Sequence, residues 1–114
     1  MENMRRINKV KGDITFRDGG MIEIRASGVK KIKLSSSSKI SFFIDSENNL
    51  YIKKDSEGMP PYDTKGNYYR FQSVNVCRRV LNLPDIPEGL DKASFRIGDE
   101  ENKSFPVITR ILLS

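Results

Sequence analysis

Lys39-Ile40-Ser41-Phe42-Phe43-Ile44 is echoed later in the chain by Lys92-Ala93-Ser94-Phe95-Arg96-Ile97. The likeness extends outward in both directions. Upstream, Ile24, Val29, Lys30, Lys31 and Ile32 answer to Phe71, Val76, Cys77, Arg78 and, after one inserted residue, Val80. Downstream, each hexamer runs into an acidic turn, Asp45-Ser46-Glu47-Asn48-Asn49 and Asp99-Glu100-Glu101-Asn102, and then into a strand-like stretch, Leu50-Tyr51-Ile52 and Ser104-Phe105-Pro106-Val107-Ile108. A duplicated unit implies one small fold built from two pseudo-equivalent halves. Architecture is constrained by this far more than function, because one fold hosts many activities.

The remaining elements follow from periodicity. Asp13–Arg17 alternates, with Ile14 and Phe16 on one face, and reads as a strand. Asp18-Gly19-Gly20 is a hairpin signal, and Met21–Arg25 returns with Ile22 and Ile24 inward. Between Ala26 and Leu34 the period changes: Val29 and Ile32 share a helical stripe, Ser27 is placed to cap it, and Gly28 restricts it to about two turns. Ser35–Ser38 is a polar loop, and Lys39–Asp45 with Leu50–Lys54 forms a second hairpin. Asp55–Asn67 holds Gly58, Pro60, Pro61 and Gly66, the longest break in pattern, and reads as the surface loop that joins the halves. Tyr68–Gln72 is a strand, and Ser73 is the N-cap of a helix with Val74, Cys77, Val80 and Leu81 on its apolar stripe. Asn75, Arg78, Arg79 and Asn82 then face outward. Pro84 ends that helix, Pro84–Asp91 is a loop, and Lys92–Ile97 pairs with Phe105–Leu113. The expected fold is mostly β (α+β by strict count). It is one domain over residues 1–114, a small barrel of two pseudo-repeated halves, 13–54 and 68–113, joined by loop 55–67, each half carrying one short helix.

That order resembles the swapped-hairpin fold of AbrB- and MazE-type DNA-binding domains. The likeness is carried by Gly20, Ile22, Ile24, Val29, Lys30, Ile32, Leu34, Ile40, Phe42, Ile44, Asp45 and Ile52, and it covers residues 13–54. The second half joins only through its similarity to the first. The chain departs from the family pattern at Met21, where Arg is frequent, at Arg25, where Pro is frequent, and at Val29, where the first of two helix arginines stands. In that family two chains exchange hairpins to complete one barrel. The resemblance therefore implies a single-chain pseudo-dimer, each unit covering the strand edges its counterpart exposes, and a regulatory, DNA-binding role.

Composition narrows the chemistry. The chain has 114 residues, 37% hydrophobic and 31% charged, with one cysteine, Cys77, and no histidine. The absence of histidine excludes a Ser-His-Asp triad, a thiol–imidazole dyad and the usual zinc sites. Neither an acid–base pair nor a phosphate-binding glycine loop stands out, so no enzymatic activity, cofactor or small-molecule substrate is expected. No apolar run approaches the roughly 20 residues needed to span a bilayer. The polar, basic N-terminus is not a secretory signal, and a lone cysteine suits a reducing, cytoplasmic setting.

The net charge of +5 is unevenly placed. Residues 1–39 hold ten Lys/Arg against four Asp/Glu, and residues 40–114 hold ten against eleven. Such asymmetry points to an anionic partner. The basic set of the first third is Arg5, Arg6, Lys9, Lys11, Arg17, Arg25, Lys30, Lys31, Lys33 and Lys39. Arg78 answers to Lys31 and the inserted Arg79 stands beside it, so the pair Arg78 and Arg79 takes the repeat-equivalent place of Lys30 and Lys31. With both helices on one face, these four charges make a single patch, and Arg17 and Arg25 near the hairpin reach toward base edges. The candidate nucleic-acid contacts are thus Arg17, Arg25, Lys30, Lys31, Arg78 and Arg79. The competing interpretation is a solvating surface. In that case the chain is an interaction or assembly module, an accessory of a phage or mobile element for example, with a protein partner or a second copy as its target. Phe42, Phe71 and Phe95 are expected in the core, while Phe43, Tyr62 and Tyr68 are candidates for exposed contacts. The acidic tips lack the ligand spacing of a calcium loop, and Cys77 reads as a buried structural thiol.

Overall fold

The computed structural model describes residues 12–113. Arg5, Arg6, Lys9 and Lys11 lie outside the described residues. The elements run β1 (Ile14–Arg17), β2 (Met21–Ile24), α1 (Ala26–Ile32), β3 (Ile40–Ile44), β4 (Leu50–Lys54), β5 (Tyr69–Gln72), α2 (Val74–Leu81), β6 (Lys92–Ile97) and β7 (Phe105–Leu113). The seven strands form one sheet in the order β3-β4-β7-β6-β1-β2-β5, antiparallel at every ladder. The sheet curls into a half-barrel with two short helices, and the fold is mostly β.

The ladders interleave the two ends of the chain. β2 pairs with β5, Ile22 opposite Phe71, and β4 pairs with β7, Leu50 opposite Val107. The β3–β4 hairpin joins Ile44 to Leu50, and the β6–β7 hairpin joins Ile97 to Val107. Exchanging β2, β3 and β4 with β5, β6 and β7 leaves this pattern of neighbours unchanged. β1 lies between β2 and β6.

The position that answers to β1 under the same exchange lies between β5 and β3. The segment Met59–Asp63 runs there. Ile40 and Met59 exchange backbone hydrogen bonds of 2.9 and 2.8 Å, and Tyr62 N–H donates to Arg70 O while Arg70 N–H donates to Asp63 O, both at 2.9 Å. Pro60 and Pro61 have no N–H to offer a ladder, so the would-be strand is reduced to two isolated bridges. Gly58 permits the approach: a Cβ there would stand 2.2 Å from Ile40 O. The stretch read from sequence as a surface loop is therefore bonded to both edges of the sheet.

Ile14, Phe16, Ile22, Ile24, Ile40, Ile52, Phe71, Phe95 and Ile97 are fully buried in one core, to which β7 adds Phe105 and Val107, so that every strand of the half-barrel contributes. The Phe16 ring meets Phe42 edge-on at 5.6 Å and Phe95 at 6.0 Å. Burying such side chains is worth about 1.5–3 kcal/mol each.

The helices are capped differently. At α2, Ser73 Oγ accepts from Val76 N–H at 3.2 Å. At α1 the N-cap is Arg25, which makes no side-chain cap. Ser27, the expected cap, instead donates its hydroxyl to the Asp13 carboxylate, because it lies inside the helix rather than before it. Gly28 brings α1 down onto the sheet, as a Cβ would stand 2.8 Å from both Asp13 O and Ile24 Cγ2. The α2 stripe also differs from expectation. Val74, the first helical residue, is 38% exposed, and Val76 packs on the core with Cys77, Val80 and Leu81.

α1 rests where Asp13, Ile24 and Ile97 converge. α2 rests at the other end of the β1–β2 hairpin: Val74 lies against Gly20, and Cys77 Sγ lies 3.6 Å from Met21 O. The two helices therefore occupy opposite ends of the half-barrel.

Candidate nucleic-acid interface

The buried stripe of α2 turns Asn75, Arg78, Arg79 and Asn82 to solvent. Between this helix and the tip of the β3–β4 hairpin lies an open groove of about 600 Å³, with Phe42, Ile44, Leu50, Val76 and Val80 beneath it and Phe43, Arg78 and Arg79 along its margin. Strand alternation places Phe43 on the outer face, where it is 47% exposed and stands opposite Tyr51. Arg78 and Arg79 are in the last turn of α2, where cations are favoured by the helix dipole. Neither enters an ion pair among the described residues.

The α1 end is arranged otherwise. Lys31 Nζ donates to Ile97 O at 3.0 Å and lies 3.4 Å from the Asp99 carboxylate, so its charge is held across the end of β6. Lys30 is exposed beside a shallow depression lined by Val29, Asn67 and Tyr69. Arg25 is half-buried immediately before α1, its guanidinium 5.8 Å from the centroid of Tyr68. Arg70 lies 5.9 Å from the same ring. Arg70 in turn binds Glu23 at 2.9 Å and Asp63 at 3.0 Å. Arg17 ends β1 opposite Lys92. The Nε atoms of Arg17 and Arg25 are buried with no hydrogen-bond partner among the described residues.

The six candidate residues thus fall into two sets. Arg17, Arg78 and Arg79 belong to the α2 end, and Arg25, Lys30 and Lys31 to the α1 end. Strands of four residues, roughly 13 Å long, separate them, and the four helix charges do not share a face. The pairing pattern explains this, since it relates the halves by reversing strand direction and so carries each helix to the far end of its neighbours.

The acidic tip of the β3–β4 hairpin is structural. Asp45 accepts the backbone N–H groups of Glu47 and Asn49, each at 2.9 Å. The Asn49 backbone hydrogen bond, foremost, holds its carboxyl below the ordinary value. Asp55 and Asp63 close similar turns onto Glu57 and Lys65. No group of three or more Cys, Asp or Glu is placed to hold a metal ion among the described residues. Burial pushes the Cys77 thiol up, away from the thiolate that reactivity requires.

Sequence reading singled out Phe43, Arg78 and Arg79 but not the groove that unites them, since it arises from α2 packing beside a hairpin far away in sequence. It also missed the cluster of Arg25, Tyr68, Arg70, Glu23 and Asp63, whose only prior signal was an Arg and a Glu at facing strand positions. No helix among the described residues is long and apolar enough to cross a membrane. Comparison with protein-family models, with curated proteins and with solved structures finds no match.

Proposed function

We infer that the chain is a non-enzymatic nucleic-acid-binding module whose contact face is the α2 end. One observation carries this reading: Arg78 and Arg79, unpaired among the described residues, flank an open groove beside exposed Phe43, while Lys31 at the other end is committed to Ile97 O and Asp99. Guanidinium groups bind phosphate in fork geometry and also stack on planar rings. The resemblance to AbrB- and MazE-type domains supports the same class. Binding of this kind is salt-dependent, with a slope of about −0.9 per phosphate contacted on duplex DNA and about −0.7 on single strands. Retention on duplex and single-stranded DNA at low and moderate salt tests it. The expected result is retention that weakens with salt and is lost on R78E/R79E, with K30E/K31E having the smaller effect. Equal retention by wild type and R78E/R79E removes the reading.

A second reading has its own support. The floor of the groove is apolar, and such a groove with an arginine margin also suits an acidic, amphipathic protein segment. In that case the chain is an assembly or interaction module.

A further inference from the structure

We propose that the α2 groove takes single-stranded rather than duplex nucleic acid, with one base stacked on Phe43 and the adjoining phosphates on Arg78 and Arg79. This rests on the nucleic-acid reading above and specifies its ligand. The groove offers two unlike surfaces side by side, cationic forks on α2 and apolar side chains between α2 and β3. A duplex presents phosphates and groove edges but keeps its base faces stacked inside, so it engages the arginines and leaves Phe43, Ile44 and Val76 facing water. Unpaired bases present flat π faces next to their own phosphates and cover both surfaces at once.

The charges around the groove set the path of the strand. Asp45 and Glu47 occupy the hairpin tip just beyond Ile44 and Leu50, and they disfavour phosphate there. The sugar–phosphate backbone therefore follows α2, and the base reaches across the groove to Phe43 at its margin. Asn82 already donates its side-chain amide to Arg78 O at 2.7 Å, so its carbonyl oxygen is left as an acceptor at the groove margin. Phe43 has no comparable partner at the α1 end, where the repeat-equivalent position is Arg96. The site is accordingly single, although the scaffold is doubled.

The experiment measures binding of a labelled oligo-dT, which has no internal pairing, and of a mixed-sequence duplex of the same length. Wild type, F43A and R78E/R79E are compared at two salt concentrations. Phe43 is solvent-exposed and outside the core, so F43A is expected to fold. Expected are tighter binding of oligo-dT than duplex, a loss of about 5-fold to 100-fold for oligo-dT on F43A with duplex binding unchanged, and loss of both on R78E/R79E. Duplex binding that depends on the arginines but is as tight as oligo-dT binding, together with indifference to F43A, overturns the single-strand assignment and leaves the broader reading standing. Failure of wild type to bind either probe overturns both, and binding of an acidic amphipathic peptide in their place identifies the interaction reading as correct.

Discussion

At the α1 end of the half-barrel a lysine on the helix reaches across to a carbonyl and a carboxylate of the second half. At the α2 end two arginines in the answering place reach toward no acidic group among the described residues, and an aromatic ring stands exposed beside them. The same arrangement of strands and helix thus yields a closed end and an open one. What separates them is a few side chains: Asp99 meets Lys31 whereas Asp45, in the answering acidic turn, is taken up by the N–H groups of Glu47 and Asn49, and Phe43 stands where the other hairpin has Arg96. A repeated scaffold supplies two equivalent positions, and the difference between them is what the proposed contact face at the α2 end rests on.

The interleaved β2–β5 and β4–β7 ladders make the halves one folding unit, and the largest expected effect tests that premise. Phe71→Ala removes a fully buried ring from β5, in the second half, that faces Ile22 of the first. It should cost about 3–5 kcal/mol and lower a single unfolding transition. Two separate transitions in calorimetry, only one of them shifted, would break the premise. Gly58→Ala acts at the seam, where its methyl meets Ile40 O. A loss of about 0.5–3 kcal/mol is expected, with hydrogen exchange accelerating at the Ile40 and Met59 amides before it does in β1 and β6.

A smaller effect separates the helices. Ser73→Ala should destabilise by about 1 kcal/mol through loss of its cap to Val76. In a Tyr68→Ala background, where Arg25 has no ring to lie against, Arg25→Ala at the corresponding place of α1 has no capping bond to lose, so a loss there equal to that of Ser73→Ala in chemical denaturation would contradict the contrast. The smallest effect concerns pH. Asp45 has a lowered pKa in the folded chain, chiefly from the Asn49 backbone hydrogen bond. Its contribution to stability is present above the unfolded carboxylate value and fades as pH falls through the folded value. A carboxyl titration followed by NMR should place Asp45 below an ordinary aspartate, and Asp45→Asn should flatten the acid side of the stability profile.

The echo of Lys39–Ile44 in Lys92–Ile97 was enough to place β3 and β6, their hairpins and the mostly β character of the chain, because alternation and turn residues are local signals. Phe43 and Arg96 fall on the outer face for the same reason. Two features were not legible. The Met59–Asp63 seam is written in prolines, which local rules assign to loops, and only the distant edges of β3 and β5 give those residues partners. The separation of Lys30 and Lys31 from Arg78 and Arg79 follows from how the ladders interleave, which no spacing along the chain encodes. Ser27 misled because a serine one residue inside a helix looks like a serine one residue before it.

Thr64-Lys65-Gly66-Asn67 is the short stretch between the seam and β5, and Lys65, Gly66 and Asn67 are all exposed. A cut there separates the polypeptide into two pieces that remain joined by the β2–β5, β1–β6 and β4–β7 ladders and by the Asp63–Arg70 bridge. Each piece alone would display bare edges and half an interior. The molecule is thus suited to reconstitution from fragments, with the open groove reassembled only when both are present, since Phe43 travels with one piece and Arg78 with the other.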